Sequence, residues 1–138
     1  MSKQQDKPAL KPAVFTTVDQ LRPGTNGHNL NVKVVSCTIV IEKQRADGTK
    51  IRVAEAVIGD QTGVVTLTAR NAQIDVVVPG STVVLRNAKV DMFNGFMRLA
   101  VDKWGLVKAA PEPAKFEVNT ENDLSSIEYE LVTVDDAQ

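Results

Sequence analysis

The sequence predicts an all-β fold, a small closed barrel of five strands. Three observations predict it. Residues 14–108 are dense in Val, Ile and Thr, the residues that suit pleated strands. Their apolar positions alternate with the two-residue period of a strand. The punctuation is Asp-Gly, Pro-Gly and Asn-Gly, and no strong amphipathic helix interrupts it. With 138 residues in all, the chain holds one domain of ordinary size.

Residues 1–13 contain Pro8 and Pro12 and no periodic pattern, and read as a flexible arm. The domain proper spans 14–108. Residues 29–42 form the first strand, with Leu30, Val32 and Val34 on one parity and Val35, Cys37, Ile39 and Ile41 on the other. A long strand that changes its buried face midway fits a barrel around which it coils. Asp47-Gly48 signals a hairpin, and residues 50–58 form the second strand. Gly59-Asp60-Gln61-Thr62-Gly63 is a tight connection to the third strand, 64–71. There Val65, Leu67 and Ala69 face one way and Thr66, Thr68 and Arg70 the other. Residues 73–78 are a short connector closed by Pro79-Gly80, and 81–92 form the fourth strand. Asn94-Gly95 turns the chain into the fifth, 96–104, where Met97, Leu99 and Val101 alternate with Phe96, Arg98 and Ala100. The five-stranded oligonucleotide/oligosaccharide-binding fold (OB-fold) has this order, and an SH3-like barrel competes with it. Closure in either form removes exposed sheet edges.

Residues 109–138 begin with Pro111 and Pro113 and read as an acidic, disordered tail. The formal net charge of -1 hides this asymmetry. Residues 1–13 sum to +2 and 14–108 to +4, while the tail carries Lys115 against eight Asp and Glu, a sum of -7. A basic body followed by an acidic tail often accompanies nucleic-acid binding. The tail either competes with nucleic acid for the basic face or presents Tyr129 and Leu131 to a protein partner.

Composition excludes several classes. One Cys leaves no disulfide framework or Cys-rich zinc site, and one His leaves no His-His metal site. No apolar run approaches the ~20 residues of a membrane helix, and the first residues lack the apolar stretch of a signal peptide. The expectation is an intracellular protein, nuclear or cytoplasmic, without a membrane partner. It is a monomer or a subunit of a larger complex. Asp60-Gln61-Thr62-Gly63 occurs once, whereas an aspartic protease needs two such carboxylates. Phosphate loops, nucleophile elbows and paired metal ligands are absent. No enzymatic activity, cofactor or metal is expected. Cys37 reads as a buried thiol, His28 as a solvated loop residue, and Trp104 as a cap on the barrel's open end or a displaced stacking platform.

The motifs favour the OB-fold. Asp19-Gln20-Leu21-Arg22-Pro23-Gly24 followed by Asn29-Leu30-Asn31-Val32 resembles the start of the simple single-stranded DNA-binding proteins. That family includes the archaeal type and the OB-fold subunit of the sensor of single-stranded DNA complex. The likeness continues in order through the Gly59–Gly63 turn, Val78-Pro79-Gly80 and Phe93-Asn94-Gly95, and covers roughly residues 16–108. Small single-OB plant proteins are more similar still, including the acidic extension. The resemblance implies binding of single-stranded DNA or RNA in the barrel groove, in DNA repair or RNA metabolism. Where the family stacks bases on four aromatic side chains, this chain has Arg70, Lys89, Phe93 and Ala100. One ring is kept and two are replaced by cations. Strand alternation adds neighbours, so the expected binding face is Thr66, Thr68, Arg70, Lys89, Phe93, Phe96 and Arg98. A face of that kind binds chiefly through the phosphate backbone and depends steeply on salt. The alternative function is a barrel that assembles with another protein and binds no nucleic acid.

Overall fold

The computed structural model describes residues 14–130. The chain runs through β1 (His28–Gln44), β2 (Lys50–Asp60), β3 (Gly63–Arg70), α1 (Ala72–Val76), β4 (Thr82–Phe93), β5 (Phe96–Ala100) and β6 (Leu106–Ala109). Short 3-10 turns lie at Val18–Gln20 and Leu124–Ser126. The strands are ordered β1-β2-β3-β5-β4-β6, and a second pairing of β1 with β4 curls the sheet back on itself. Parallel pairing of β3 with β5, at Leu67↔Leu99 and Thr68↔Ala100, completes the barrel. This is the OB-fold architecture.

β1 behaves as its two-faced pattern requires. Leu30, Val32 and Val34 are buried, the first two opposite β4 and the third opposite β2, a bulge then falls between Val34 and Ser36, and Cys37 turns partly toward the core. Cys37 is half-buried rather than fully buried, because β1 leaves the barrel two residues later. Its far half and the start of β2 form a two-stranded ribbon that projects beyond the core. Asp47-Gly48 lies in a five-residue loop there, 45–49, in which Arg45 N–H donates to the Thr49 carbonyl. The Asn94-Gly95 turn has both residues at positive φ, 52° and 91°, as a two-residue hairpin demands.

The fifth strand departs from expectation. β5 stops at Ala100, and the chain resumes as a separate β6 paired with the first half of β4. The break comes from an Asx turn: the Asp102 carboxylate accepts from Trp104 N–H, and its carbonyl from Gly105 N–H. Asn87 at φ 56° kinks β4 opposite that break and donates to the Trp104 carbonyl. Trp104 consequently caps nothing. It stands 75% exposed on the turn, with Lys103 Nζ 5.0 Å from the ring centre. His28 is likewise not in a loop. It opens β1, half-buried, with Nε2 2.7 Å from Thr25 Oγ1.

The core contains Val18, Leu21, Leu30, Val32, Ile58, Leu67, Leu85, Met97 and Leu99, all but sealed from solvent. Each stabilises the fold by about 1.5–3 kcal/mol. Leu124, from the segment expected to be a disordered tail, joins them at 5% exposure. Disorder does not describe residues 110–130, which lie on the barrel as a strap. Asn119 N–H donates to the Asp60 carbonyl, and Val64 N–H donates to that of Asn122. The Ser125 hydroxyl accepts from Thr66 N–H at 2.9 Å and donates to the Met97 carbonyl at 2.6 Å. It thereby joins β3 and β5 where their direct pairing has ended. Two glycines make room for the strap. A Cβ on Gly63 would stand 2.7 Å from the Asn122 carbonyl oxygen, and one on Gly95 would stand 2.8 Å from that of Tyr129. The expectations for residues 1–13 and 131–138, Leu131 included, lie outside the described residues.

Candidate nucleic-acid interface

Strand alternation turns one row of side chains from β2, β3, β5 and β4 outward. In β2 and β3 these are Val53, Glu55, Thr68 and Arg70, which register pairs as Val53↔Arg70 and Glu55↔Thr68. In β4 and β5 they are Asp91, Phe93 and Arg98, with Asp91↔Arg98 as cross-strand partners. The projecting ribbon adds Val40 and Ile41 as a side wall, and the β4–β5 hairpin adds Met92 and Phe93 opposite. Together they enclose an open cleft of ≈ 480 Å³. Its position, on the β2–β3 face between the β1–β2 and β4–β5 hairpins, is where OB-folds take oligonucleotides.

The seven residues expected to form the binding face divide into three groups. Thr68, Arg70, Phe93 and Arg98 line one cleft. Lys89 is on the same strand face as Asp91 and stands beside the cleft, its Nζ 3.9 Å from Asp91 Oδ1. Thr66 and Phe96 fall under the strap's path: Thr66 N–H is bonded to Ser125, and Phe96 bridges to Glu128.

Phe93 is 57% exposed and lines the cleft at its rim. Arg98 stacks beside it, the guanidinium carbon 5.3 Å from the ring centre. The same guanidinium donates to Glu55 Oε2 at 2.6 Å, so its charge is largely answered within the protein. Arg70 is different. It is exposed at the end of β3, its backbone N–H anchored on Gln73 Oε1. Among the described residues no ion pair engages its side chain. Three cations against two carboxylates leave the cleft region with about one net positive charge, less than alternation in β3 to β5 predicts. Glu55 lies on β2, two strands from Arg98, and only strand order brings it there; Asp91 stands between Lys89 and Phe93 on one face of β4, so alternation does reach it, and the expected face omits its charge. In the apolar wall, Ile41 carries a signal, the second parity of β1, whereas Val40 is of the first parity and falls at the register shift between Ile39 and Ile41.

A group of three or more metal-ligating side chains does not occur among the described residues, and none of their helices is long and apolar enough to cross a membrane. The chain matches, over residues 21–109, the family model described as single-stranded DNA binding protein Ssb-like, OB fold. It is 47% identical over 130 residues to an uncharacterised protein of Arabidopsis thaliana, covering 88% of this chain and 84% of that one. The solution structure of a hypothetical protein from the same plant superimposes with a TM-score of 0.75 at 43% identity, covering 97% of this chain and 98% of the other. The second OB-fold domain of replication protein A from Methanococcus maripaludis superimposes with a TM-score of 0.55 at 21% identity, covering 74% of this chain and all of that domain. At that identity the archaeal likeness concerns the fold. The family match spans well over half of the residues and coincides with the barrel that carries the cleft, so the chain belongs to the Ssb-like OB-fold family of single-stranded DNA-binding proteins.

Proposed function

We propose that the protein binds single-stranded nucleic acid, DNA or RNA, along this cleft. Arg70 and Lys89 neutralise phosphates, and Phe93 offers a stacking surface to a base. The observation that carries the reading is the convergence of Arg70, Phe93 and Arg98 on one continuous cleft between two hairpins. Family membership supports nucleic-acid binding in general. The mode of action is binding rather than catalysis, as a service to DNA repair or RNA metabolism in the nucleus or cytoplasm.

The charge pairing alters the expected salt dependence. Arg98 is tied to Glu55, so two cations remain to release counterions. For a single strand, two phosphate contacts give a slope of about -1.4 in log affinity against log salt. That is shallow beside a barrel that uses every cation on its face.

Fluorescence anisotropy with oligo(dT) and oligo(U), at low and at moderate salt, tests the reading. Arg70→Glu with Lys89→Glu is expected to lower affinity at least about tenfold, with an unchanged melting curve because both side chains lie at the surface. Retained affinity in that double variant would place the strand on another face. Absence of binding to either oligonucleotide at low salt would favour the assembly-subunit reading.

A further inference from the structure

A cleft proposed to hold a polyanion carries two carboxylates, and phosphate attraction gives no reason for them. They are placed with some precision. Asp91 is the cross-strand partner of Arg98 on β4, the Arg98 guanidinium reaches Glu55 on β2, and both acids line the cleft. Both acids remain open to solvent, their side chains 43% and 47% exposed for Glu55 and Asp91. Asp91 makes no side-chain hydrogen bond among the described residues. Its nearest cation, Lys89, is 3.9 Å away, beyond hydrogen-bonding range. Phe93 lies two residues further along the same face of β4. A base stacked on that ring directs its edge toward the residues around it, Asp91 on the same strand and Arg98 across from it.

We infer that Asp91 and Glu55 read base edges and select bases with an exocyclic amino group, cytosine, adenine and guanine, over uracil and thymine. The inference rests on the nucleic-acid reading of the cleft. An ionised carboxylate only accepts hydrogen bonds. Cytosine N4 and adenine N6 each bring an N–H₂ donor to it, and guanine brings N1–H beside N2–H₂. Uracil and thymine bring a single N3–H between two carbonyl oxygens, whose lone pairs face the carboxylate. The same negative charge turns phosphates away from the Glu55–Asp91 floor and toward Arg70 and Lys89.

The test compares oligo(dC) with oligo(dU), each of about twelve nucleotides, in the full chain at low salt and slightly alkaline pH. These strands differ in the hydrogen-bonding pattern at N3 and C4 and not in ring size or charge. The wild-type protein is expected to prefer oligo(dC) by roughly tenfold, the discrimination of one good base-edge contact. Asp91→Asn supplies an amide that donates as well as accepts, so the preference should fall to a few-fold or vanish. Asp91 is half-exposed and unbonded, so the change leaves the fold intact. Glu55→Gln is the second variant and should move the ratio in the same direction. Loss of preference in either variant supports the inference. Equal affinity of the wild type for the two strands, or a preference unchanged in both variants, overturns it while leaving nucleic-acid binding in place. Failure of both strands to bind overturns the binding reading and this inference with it.

Discussion

At the Asp60–Gly63 corner the barrel is closed, and the chain's two flanking segments meet there. The Asp60 carboxylate, 2% exposed, accepts from Val18 N–H at 3.0 Å and from Thr62 N–H at 2.8 Å. Thr62 Oγ1 in turn accepts from Asp19 N–H, and Asn122 donates to the Thr62 carbonyl. Val18, Leu21 and Leu124 fill the space beneath. Around the cleft the opposite holds. Ile39, Val40, Ile41, Met92 and Phe93 are each at least 40% exposed, and the Arg98 Nε is buried without a hydrogen-bond partner. Exposed apolar side chains beside an unsatisfied donor cost stability, and stable barrels do not need them. One region holds the fold together, and the other is kept open for something to bind. Substitutions in the two should therefore separate, lowering stability in one and affinity in the other.

The sharpest break should come from removing the strap. Leu124→Ala empties a core position and is expected to cost about 3 kcal/mol, read by urea or thermal unfolding. Truncation after Ala109 should cost more, because it also removes Ser125, which joins Thr66 of β3 to Met97 of β5. A truncated chain that unfolds like the full one would mean that the strap is not part of the barrel. Such a truncation is consequently a poor probe of tail competition, since it disturbs the fold along with the charge. Replacing Glu128 and Glu130 by Gln probes the charge alone.

Phe93→Ala should do the reverse. A base–aromatic stack contributes about 1–3 kcal/mol, so affinity for a single strand should fall by roughly tenfold or more. Unfolding should barely move, because more than half of the ring already faces solvent. If the variant lost stability as much as Leu124→Ala does, the ring would belong to the core and the separation of regions would fail.

The two regions also differ in how far the sequence discloses them. The strands are legible because alternation and turn chemistry are local: Leu30-Val32-Val34 and Asn94-Gly95 declare themselves within a few residues. The break between β5 and β6 is hidden because Val101, Leu106 and Val107 continue the apolar run, while the cause lies in Asp102 and in the Asn87 kink across the sheet. The strap is hidden for a different reason. Its many carboxylates read as a solvated tail, and the contacts that seat it come from one leucine, one serine and backbone groups. In the cleft, Arg70, Phe93 and Arg98 are recoverable by counting along strands. Arg98's bond to Glu55 spans 43 residues and is fixed by strand order, which no local pattern encodes.

The smallest expected effect concerns pH and belongs to neither region. His28 opens β1 with its ring half-buried, and that burial pushes its pKa below the ordinary 6.5. The folded protein therefore keeps the imidazole neutral where the unfolded chain has already taken up a proton. The unfolded state binds more protons in that interval, so stability rises with pH across it. The contribution is complete above 6.5 and is lost as the pH falls through the folded value. Asp19 and Asp47 act lower down. Hydrogen bonds, chiefly from Thr17 to Asp19 and from Thr49 to Asp47, hold both carboxyls below their ordinary 3.8, and the stability they bring is lost as the pH falls through those depressed values. The His28 window opens at 6.5 and the carboxyl windows open at 3.8. Urea unfolding followed from neutral pH to just below 6.5 should show a shallow decline that His28→Gln flattens, with the acid limb near the carboxylate range unchanged. A decline of the same slope in His28→Gln would trace the pH dependence to other groups. Thr25, whose hydroxyl is 2.7 Å from His28 Nε2, would then serve the β1 turn without a titrating partner.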